Sequence, residues 1–373
     1  MRGSTVHEMT TTNMLSRIRG TLVDPVIGFP HYADTGTGQW TTTSDGFWTG
    51  GFWGGLLALA SVQSGDQKLM GGAEEVATQL TARATSDTAF RGFLFFFGAG
   101  VAHLVGESDR AREVALAGAE GLAASFNHNA GLIPLGLQAE EADAVGSGAA
   151  NIDAVPGTVA LLAWAARETG RQSFADMARA HARRHVEYCL REDGSVCQSA
   201  EFDPRDGTLV RRYTHKGLSD GSTWARAQAW AMLGFAQAAH WVDAELAEPA
   251  VTAADWWIEH LPAGRVATWD FDAGPDAPRD TSATAIAAAA LLRLADLVPS
   301  RPHYRDHAAS MVATLCQFVT PTEVGDQRTS GMLTSGCFDP KRGVATDAEL
   351  VWGDYFLFES LLSLQGVIIP TAL

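Results

Sequence analysis

A carboxylate at the head of an apolar helix can cap that helix or carry a proton, and Asp153 holds such a position in Asn151-Ile152-Asp153-Ala154-Val155-Pro156. As a cap, its oxygen would accept backbone N–H groups of the first turn. As an acid facing an apolar interior, it would resist ionisation, which suits a general acid. The two readings are compatible. Three aromatic-rich stretches accompany it: Trp40 through Trp53, Thr223-Trp224 through Trp230, and Ala267-Thr268-Trp269-Asp270-Phe271-Asp272. Indole faces stack on the C–H faces of sugar rings while flanking carboxylates accept hydroxyls, so the pattern points to a carbohydrate cleft. Tryptophans that only fill a core are the competing reading. Clustering of tryptophans with Gly, Asp and Arg in these stretches favours the cleft.

Other constellations carry less. His181 and His185 have the i, i+4 spacing of two metal ligands, but Ala182-Arg183-Arg184 between them supplies no catalytic Glu. They read as surface or packing histidines. Gly217-Leu218-Ser219-Asp220-Gly221 fits a nucleophile elbow, between an expected strand and an expected helix, yet the chain lacks the alternating strands of an α/β hydrolase. Gly36-Thr37-Gly38 is too short for a phosphate loop. The cysteines, Cys189, Cys197, Cys316 and Cys337, form no CxxC pair and read as buried free thiols.

The elements that must position Asp153 and the tryptophans come in pairs. Helix-sized segments recur at 47–63 with 67–84, 89–105 with 107–125, 152–169 with 171–190, 222–241 with 244–260, and 280–297 with 302–318. A sixth pair joins 350–366 to the N-terminal segment 8–21 and closes a ring. The first member of each pair is rich in Gly, Ala, Trp and Phe and nearly apolar all round, as in Phe93-Leu94-Phe95-Phe96-Phe97, so it must be buried on every side. The second member is amphipathic, as in Asp109-Arg110-Ala111-Arg112-Glu113. Six buried helices inside six amphipathic ones make an (α/α)6 barrel, expected as a single domain over residues 1–373. Gly65, Gly106 and Gly170 stand where helix C-caps need positive φ. Longer connections at 127–150, 192–221, 262–279 and 320–346 would gather at one end and form the cleft. The second of these contains a small β-hairpin, Ser195 to Phe202 and Thr208 to Tyr213, around an Asp206-Gly207 turn.

Composition narrows the partners. A formal net charge of −16 repels phosphate backbones and anionic lipid, which argues against nucleic acid and membrane. A few cations inside a cleft could still hold an anion. The polar segment Met1 to Thr12 has no apolar signal core, and no run is long enough to span a bilayer, so a cytoplasmic protein is expected.

The ordered motifs Trp48-Thr49-Gly50-Gly51-Phe52-Trp53, Glu201-Phe202-Asp203-Pro204, Thr214-His215, Ser219-Asp220-Gly221-Ser222-Thr223-Trp224-Ala225-Arg226-Ala227-Gln228-Ala229-Trp230, Trp269-Asp270-Phe271-Asp272, Pro278-Arg279-Asp280-Thr281-Ser282-Ala283 and Trp352-Gly353-Asp354-Tyr355 are similar to glycoside hydrolase family 88, the unsaturated glucuronyl hydrolases. The resemblance spans about residues 29–363. It implies hydration of the C4=C5 double bond of an unsaturated uronic acid at a non-reducing end. The resulting hemiketal opens and releases the aglycone. Asp153 matches the family Asp that protonates C4 and then activates water for C5. Trp48 matches an aromatic wall, and His215, Arg226 and Trp230 match positions that shape the uronate subsite, with Trp224 beside them. No metal or organic cofactor is implied, and the partner is a small carbohydrate or sugar-containing metabolite.

The chain departs from the family in places that matter. Ala89-Phe90-Arg91-Gly92-Phe93 stands where the family has His-Asp-x-Gly-Phe, so Phe90 replaces a second carboxylate. Gln198 replaces a family His in the hairpin, and Lys216 a family Gln after the Thr-His pair. Lys216 or Arg91 could hold an anion, and Asp87 could stand in for the missing Asp under a shifted alignment. These changes keep two further readings open: a biosynthetic enzyme acting on an unsaturated or uronate-like sugar of a small natural product, and a sugar-binding protein without catalysis.

Overall fold

The computed structural model describes residues 2–373 other than 25–26, 141 and 263–265, with side chains from Val6 onward. Among the described residues twelve helices build the barrel: α1 (Arg2–Val23), α2 (Gly50–Ser64), α3 (Gln67–Leu80), α4 (a π-helical run Phe93–Gly100 continuing as Val101–Gly106), α5 (Asp109–Ala124), α6 (Val155–Thr169), α7 (Gln172–Cys189), α8 (Ala225–Trp241), α9 (Ala247–His260), α10 (Thr281–Leu297), α11 (His303–Leu315) and α12 (Val351–Leu364). The even-numbered helices form the inner ring. Each packs on the next, and α12 returns to α2. Every residue of α8 from Ala225 to Ala239 is buried, as its apolar circumference requires. The outer helices take α1 as their closing member, packed against α2 and α12, as the pairing of segment 8–21 with 350–366 predicts. Among the described residues no helix is long and apolar enough to cross a membrane.

The glycines of the inner helices permit close approach where it positions the site. A Cβ on Gly92 would stand 2.3 Å from the Thr158 backbone nitrogen, and one on Gly157 would stand 2.4 Å from that of Phe93. The entry to α4 and the first turn of α6 therefore touch backbone to backbone, which sets Phe90 and Phe93 beside Asp153. Gly65 and Gly170 cap their helices at φ 71°, as expected. Gly106 does not. It ends α4 against Met70, and Glu107 takes the left-handed conformation at φ 53° with its N–H on His103 O.

Among the described residues two three-stranded sheets decorate the barrel. One orders β2 (Trp40–Thr43), β1 (Phe29–Asp34) and β6 (Ala348–Leu350), none of them anticipated from the sequence. In the other, β3 (Ala150–Asn151) pairs with the expected hairpin, β4 (Ser199–Phe202) and β5 (Leu209–Tyr213). The hairpin strands begin later than the polar alternation suggests, and its turn spans Asp203 to Thr208 with Gly207 at φ 76°. Antiparallel pairing of Asn151 with Ser199 fixes Asp153 relative to Gln198.

Candidate active site

Asp153 lies in a single 3-10 turn, Ile152–Ala154, that leads into α6. The capping task falls to Asn151, whose Oδ1 accepts the Asp153 N–H at 2.9 Å. The carboxylate of Asp153 is thereby spared for the cavity it lines. That cavity has about 250 Å³ of empty space, part of it open to solvent, and is bounded by Trp48, Phe90, Phe93, Trp224, Trp230 and Phe338, with Asp153, Lys216 and Arg226 as its polar members. The aromatic rings form one packed wall. Trp48 lies 5.8 Å from Phe93 and 6.3 Å from both Phe90 and Phe338, and Phe93 lies 4.9 Å from Trp230, centre to centre. The sequence-derived cleft residues Trp48, Trp224, Trp230, Arg226, Lys216 and Asp153 thus meet around one space.

Gln198 and His215 stand just behind it. Gln198 Nε2 donates to Asp153 Oδ2 at 3.1 Å. Its Oε1 accepts from Thr214 Oγ1 at 2.7 Å and from the N–H groups of Lys216 and His215 at 3.2 and 3.3 Å. Three donors on one oxygen fix the amide orientation, so the NH2 must face the carboxylate. His215, half-buried, is held through its backbone at this junction and is not among the lining side chains.

The two cations that line the cavity are answered by carboxylates. Arg226 is buried, pairs with Asp280 Oδ2 at 2.6 Å, and donates to the carbonyls of Cys337 and Phe338. Its guanidinium lies 4.5 Å over the Trp224 ring. Asp280 also caps α10 through Ser282 N, so Arg226 ties the start of one inner helix to the next and to the loop 320–346. Lys216 Nζ sits 3.3 Å from Glu140 Oε1, 3.7 Å from Asp339 Oδ2 and 4.1 Å from the centre of the Phe338 ring. Glu140 Oε2 in turn accepts from Trp48 Nε1 at 2.9 Å. Lys341 Nζ donates to Gly217 O at 3.1 Å, which fastens the loop carrying Phe338 to the loop carrying Lys216. His31 is packed behind Trp48, 3.1 Å from Thr49 Oγ1, and burial together with the Lys216 charge lowers its pKa to about 3. It is a neutral imidazole at working pH.

Several expectations are corrected. Arg91 does not reach the cavity: it is buried, and its guanidinium donates to Thr88 O, Ala84 O and Ser125 Oγ. Burial lowers its pKa to about 10. Asp87 is exposed and accepts from Leu137 N, so it does not replace the missing carboxylate. Phe90 fills that place, stacked parallel to Phe93 at 6.0 Å. In the third aromatic stretch, Trp269 is absent from the cavity lining. Asp270 and Asp272 instead accept from Leu218 N, Ser222 Oγ and Thr223 N and brace the loop 217–223. Ser219 is exposed in that loop with its N–H on Ser222 Oγ, a turn rather than a nucleophile elbow. Of the two readings of His181 and His185, packing holds: both are wholly buried, with Nδ1 of His181 accepting from Ile133 N. The four cysteines are buried and free of disulfides, as expected. Glu140, Asp339, Phe338 and His31 were not singled out from the sequence. The only signal for the first three was their place in the long loops 127–150 and 320–346.

The fold and the site together define an (α/α)6 barrel whose described cavity lining sets one carboxylate, Asp153, among aromatic faces suited to a sugar ring. No family model matches the chain. The chain is similar to the unsaturated glucuronyl hydrolase of Bacillus sp. (strain GL1), 32% identical over 348 residues that cover 90% of this chain and 91% of the relative. It is 29% identical to an unsaturated chondroitin disaccharide hydrolase of Streptococcus pyogenes serotype M1, over 84% of this chain and 80% of that one. A solved structure of an unsaturated glucuronyl hydrolase variant with dGlcA-Glc-Rha-Glc superposes with a TM-score of 0.89 at 30% identity, covering 96% of this chain and 97% of that chain. This chain belongs to the unsaturated glucuronyl hydrolase family.

Proposed function

We propose that the cavity takes the terminal unsaturated uronic acid of an oligosaccharide or glycoside, and that Asp153 adds water across its C4=C5 bond. Asp153 delivers its proton to C4, and the positive charge that develops at C5 is shared with the ring oxygen. Water then attacks C5 and returns a proton to Asp153. The hemiketal so formed opens and expels the aglycone. The observation that carries this reading is Asp153, the one carboxylate on the cavity wall among the described residues, oriented by an amide whose own direction is fixed. One group serves both steps, as acid and then as base. Trp48, Trp224 and Trp230 supply faces for the sugar ring, with Gln198 and His215 behind Asp153 and Lys216 and Arg226 at the polar edge. The relatives' names and the dGlcA-Glc-Rha-Glc complex support the substrate class. In this reading the barrel works as one catalytic domain in the cytoplasm, a compartment compatible with four free thiols.

Phe90 supports a second reading, in which the same chemistry serves a related unsaturated or uronate-like sugar of a small natural product. Its ring offers an apolar surface where a carboxylate would bind hydroxyls. Incubation with unsaturated disaccharides from lyase digestion separates the readings, followed by loss of absorbance from the conjugated enol ether. Decay with the unsaturated disaccharides that disappears in Asp153→Asn is the expected outcome. Turnover confined to other unsaturated glycosides would favour the second reading. An Asp153→Asn variant as active as the parent would overturn both.

A further inference from the structure

A substrate carboxylate entering this cavity would find the Lys216 ammonium in use. Asp339 is held in its own turn, with Oδ1 on Arg342 N at 3.2 Å and backbone pairing to Val344, so it is a permanent counter-ion. Glu140 differs. It reaches Lys216 from a separate loop and is held at its other oxygen by Trp48 Nε1, on the wall where the sugar would stack. Glu140 and Asp339 already stand against Lys216, Asp339 also pairing with Arg342 at 3.8 Å, and a further carboxylate would meet the Glu140 charge at close range.

The geometry points to Glu140 as a specificity-determining residue that competes with the uronate carboxylate for Lys216. This rests on the cavity being a uronide site. Glu140 fills the anion's place in the ligand-free protein and keeps Trp48 in position, and a uronate must displace it to pair with Lys216. An ester or any other neutral analogue has no such competitor. The contact therefore reduces affinity for the acid and narrows the margin by which the site prefers acid over neutral sugar.

Calorimetric titration of methyl glucuronide and of its methyl ester reads this out without turnover. Glu140→Gln keeps an acceptor for Trp48 Nε1 and removes only the charge. It should bind the acid about tenfold tighter while its affinity for the ester stays within about twofold, since like-charge repulsion acts on the acid alone. Lys216→Met should weaken the acid and leave the ester in place. An acid-to-ester affinity ratio unchanged in Glu140→Gln overturns the proposal, and so does failure of both compounds to bind either protein. With unsaturated disaccharides, Glu140→Gln should lower KM. A shifted acid-to-ester ratio without any turnover would leave the competition standing and remove the reaction assigned to Asp153 instead.

Discussion

Two inner helices begin beside a buried carboxylate and tryptophans, yet the two places are built for different ends. At the entry to α6, Asp153 lines the aromatic cavity and is held by the neutral amide of Gln198. At the entry to α12, Asp354 and Glu349 border a second, narrow cavity with Trp40 and Trp53. There Arg17 of α1 grips both oxygens of Glu349, at 3.0 and 2.6 Å, and its guanidinium covers Trp40 at 4.9 Å. Trp40 Nε1 is spent on Thr21 Oγ1. A carboxylate clamped by a guanidinium holds elements together, whereas one oriented by an amide keeps its proton chemistry. Burial and tryptophans, taken without the partner, do not distinguish a site from a joint.

The comparison breaks most sharply at Arg17. Arg17→Met leaves Glu349 buried without its counter-ion, which should cost about 3 kcal/mol, the lower end for a broken buried pair because Glu349 can take up a proton instead. Thermal or urea unfolding measures the loss. The kcat of the folded fraction should not change, since Arg17 lines the second cavity and is not among the residues lining the Asp153 cavity. A variant of full stability but impaired kcat would reverse the assignment of the two regions.

Asp153→Asn should do the opposite. Turnover of the unsaturated uronide should drop by at least about 10²-fold, the scale of general acid–base catalysis. The melting temperature should stay near that of the parent, because Asn151 rather than Asp153 caps the turn.

Gln198 is a positioning residue, and its loss should be milder. Gln198→Leu removes the donor on Asp153 Oδ2 and should lower kcat about tenfold with KM little changed, the effect of a misaligned acid. Gln198→His restores a ring N–H donor and should recover much of the rate. It should also add an ionisation near pH 6.5 to the kcat profile that the parent lacks. Equal losses in both variants, with no new ionisation, would reduce Gln198 to a packing residue.

The paired helices were legible in the sequence because inner and outer members differ in composition along their whole length. Asp153 was legible because a lone carboxylate interrupts an apolar run. The tryptophans were legible as aromatic stretches beside polar residues, and Gln198 and Lys216 came from motif resemblance. What sequence could not supply were contacts between loops distant along the chain: Glu140 with Lys216, Arg226 with Phe338, Arg17 with Glu349. Their partners are chosen by barrel closure, and no local periodicity encodes that. Arg91 illustrates the limit at short range. Adjacent to Phe90 on a helical turn, it points away from the cavity by the geometry of successive side chains, so its charge never enters the site. The strands β1, β2 and β6 escaped for a similar reason, since β6 is three residues long and pairs with β1 from the opposite end of the chain.

The smallest effect belongs to Asp354. Burial, reinforced by the neighbouring Glu349 charge, raises its pKa well above the ordinary carboxylate range. An acid whose folded pKa is raised binds a proton more tightly in the native state than in the unfolded one. Its contribution to stability is complete below the unfolded value, about 3.9, and is lost as pH climbs toward the folded value. Asp354→Asn keeps the acceptor for Leu333 N, retains a donor toward Glu349 and has no proton to lose. The variant should therefore gain on the parent as pH rises from about 4 to 8, by roughly 2–4 °C in Tm for each kcal/mol. Parallel melting curves across that range would mean that Asp354 ionises normally, and that Arg17 balances both carboxylates rather than Glu349 alone.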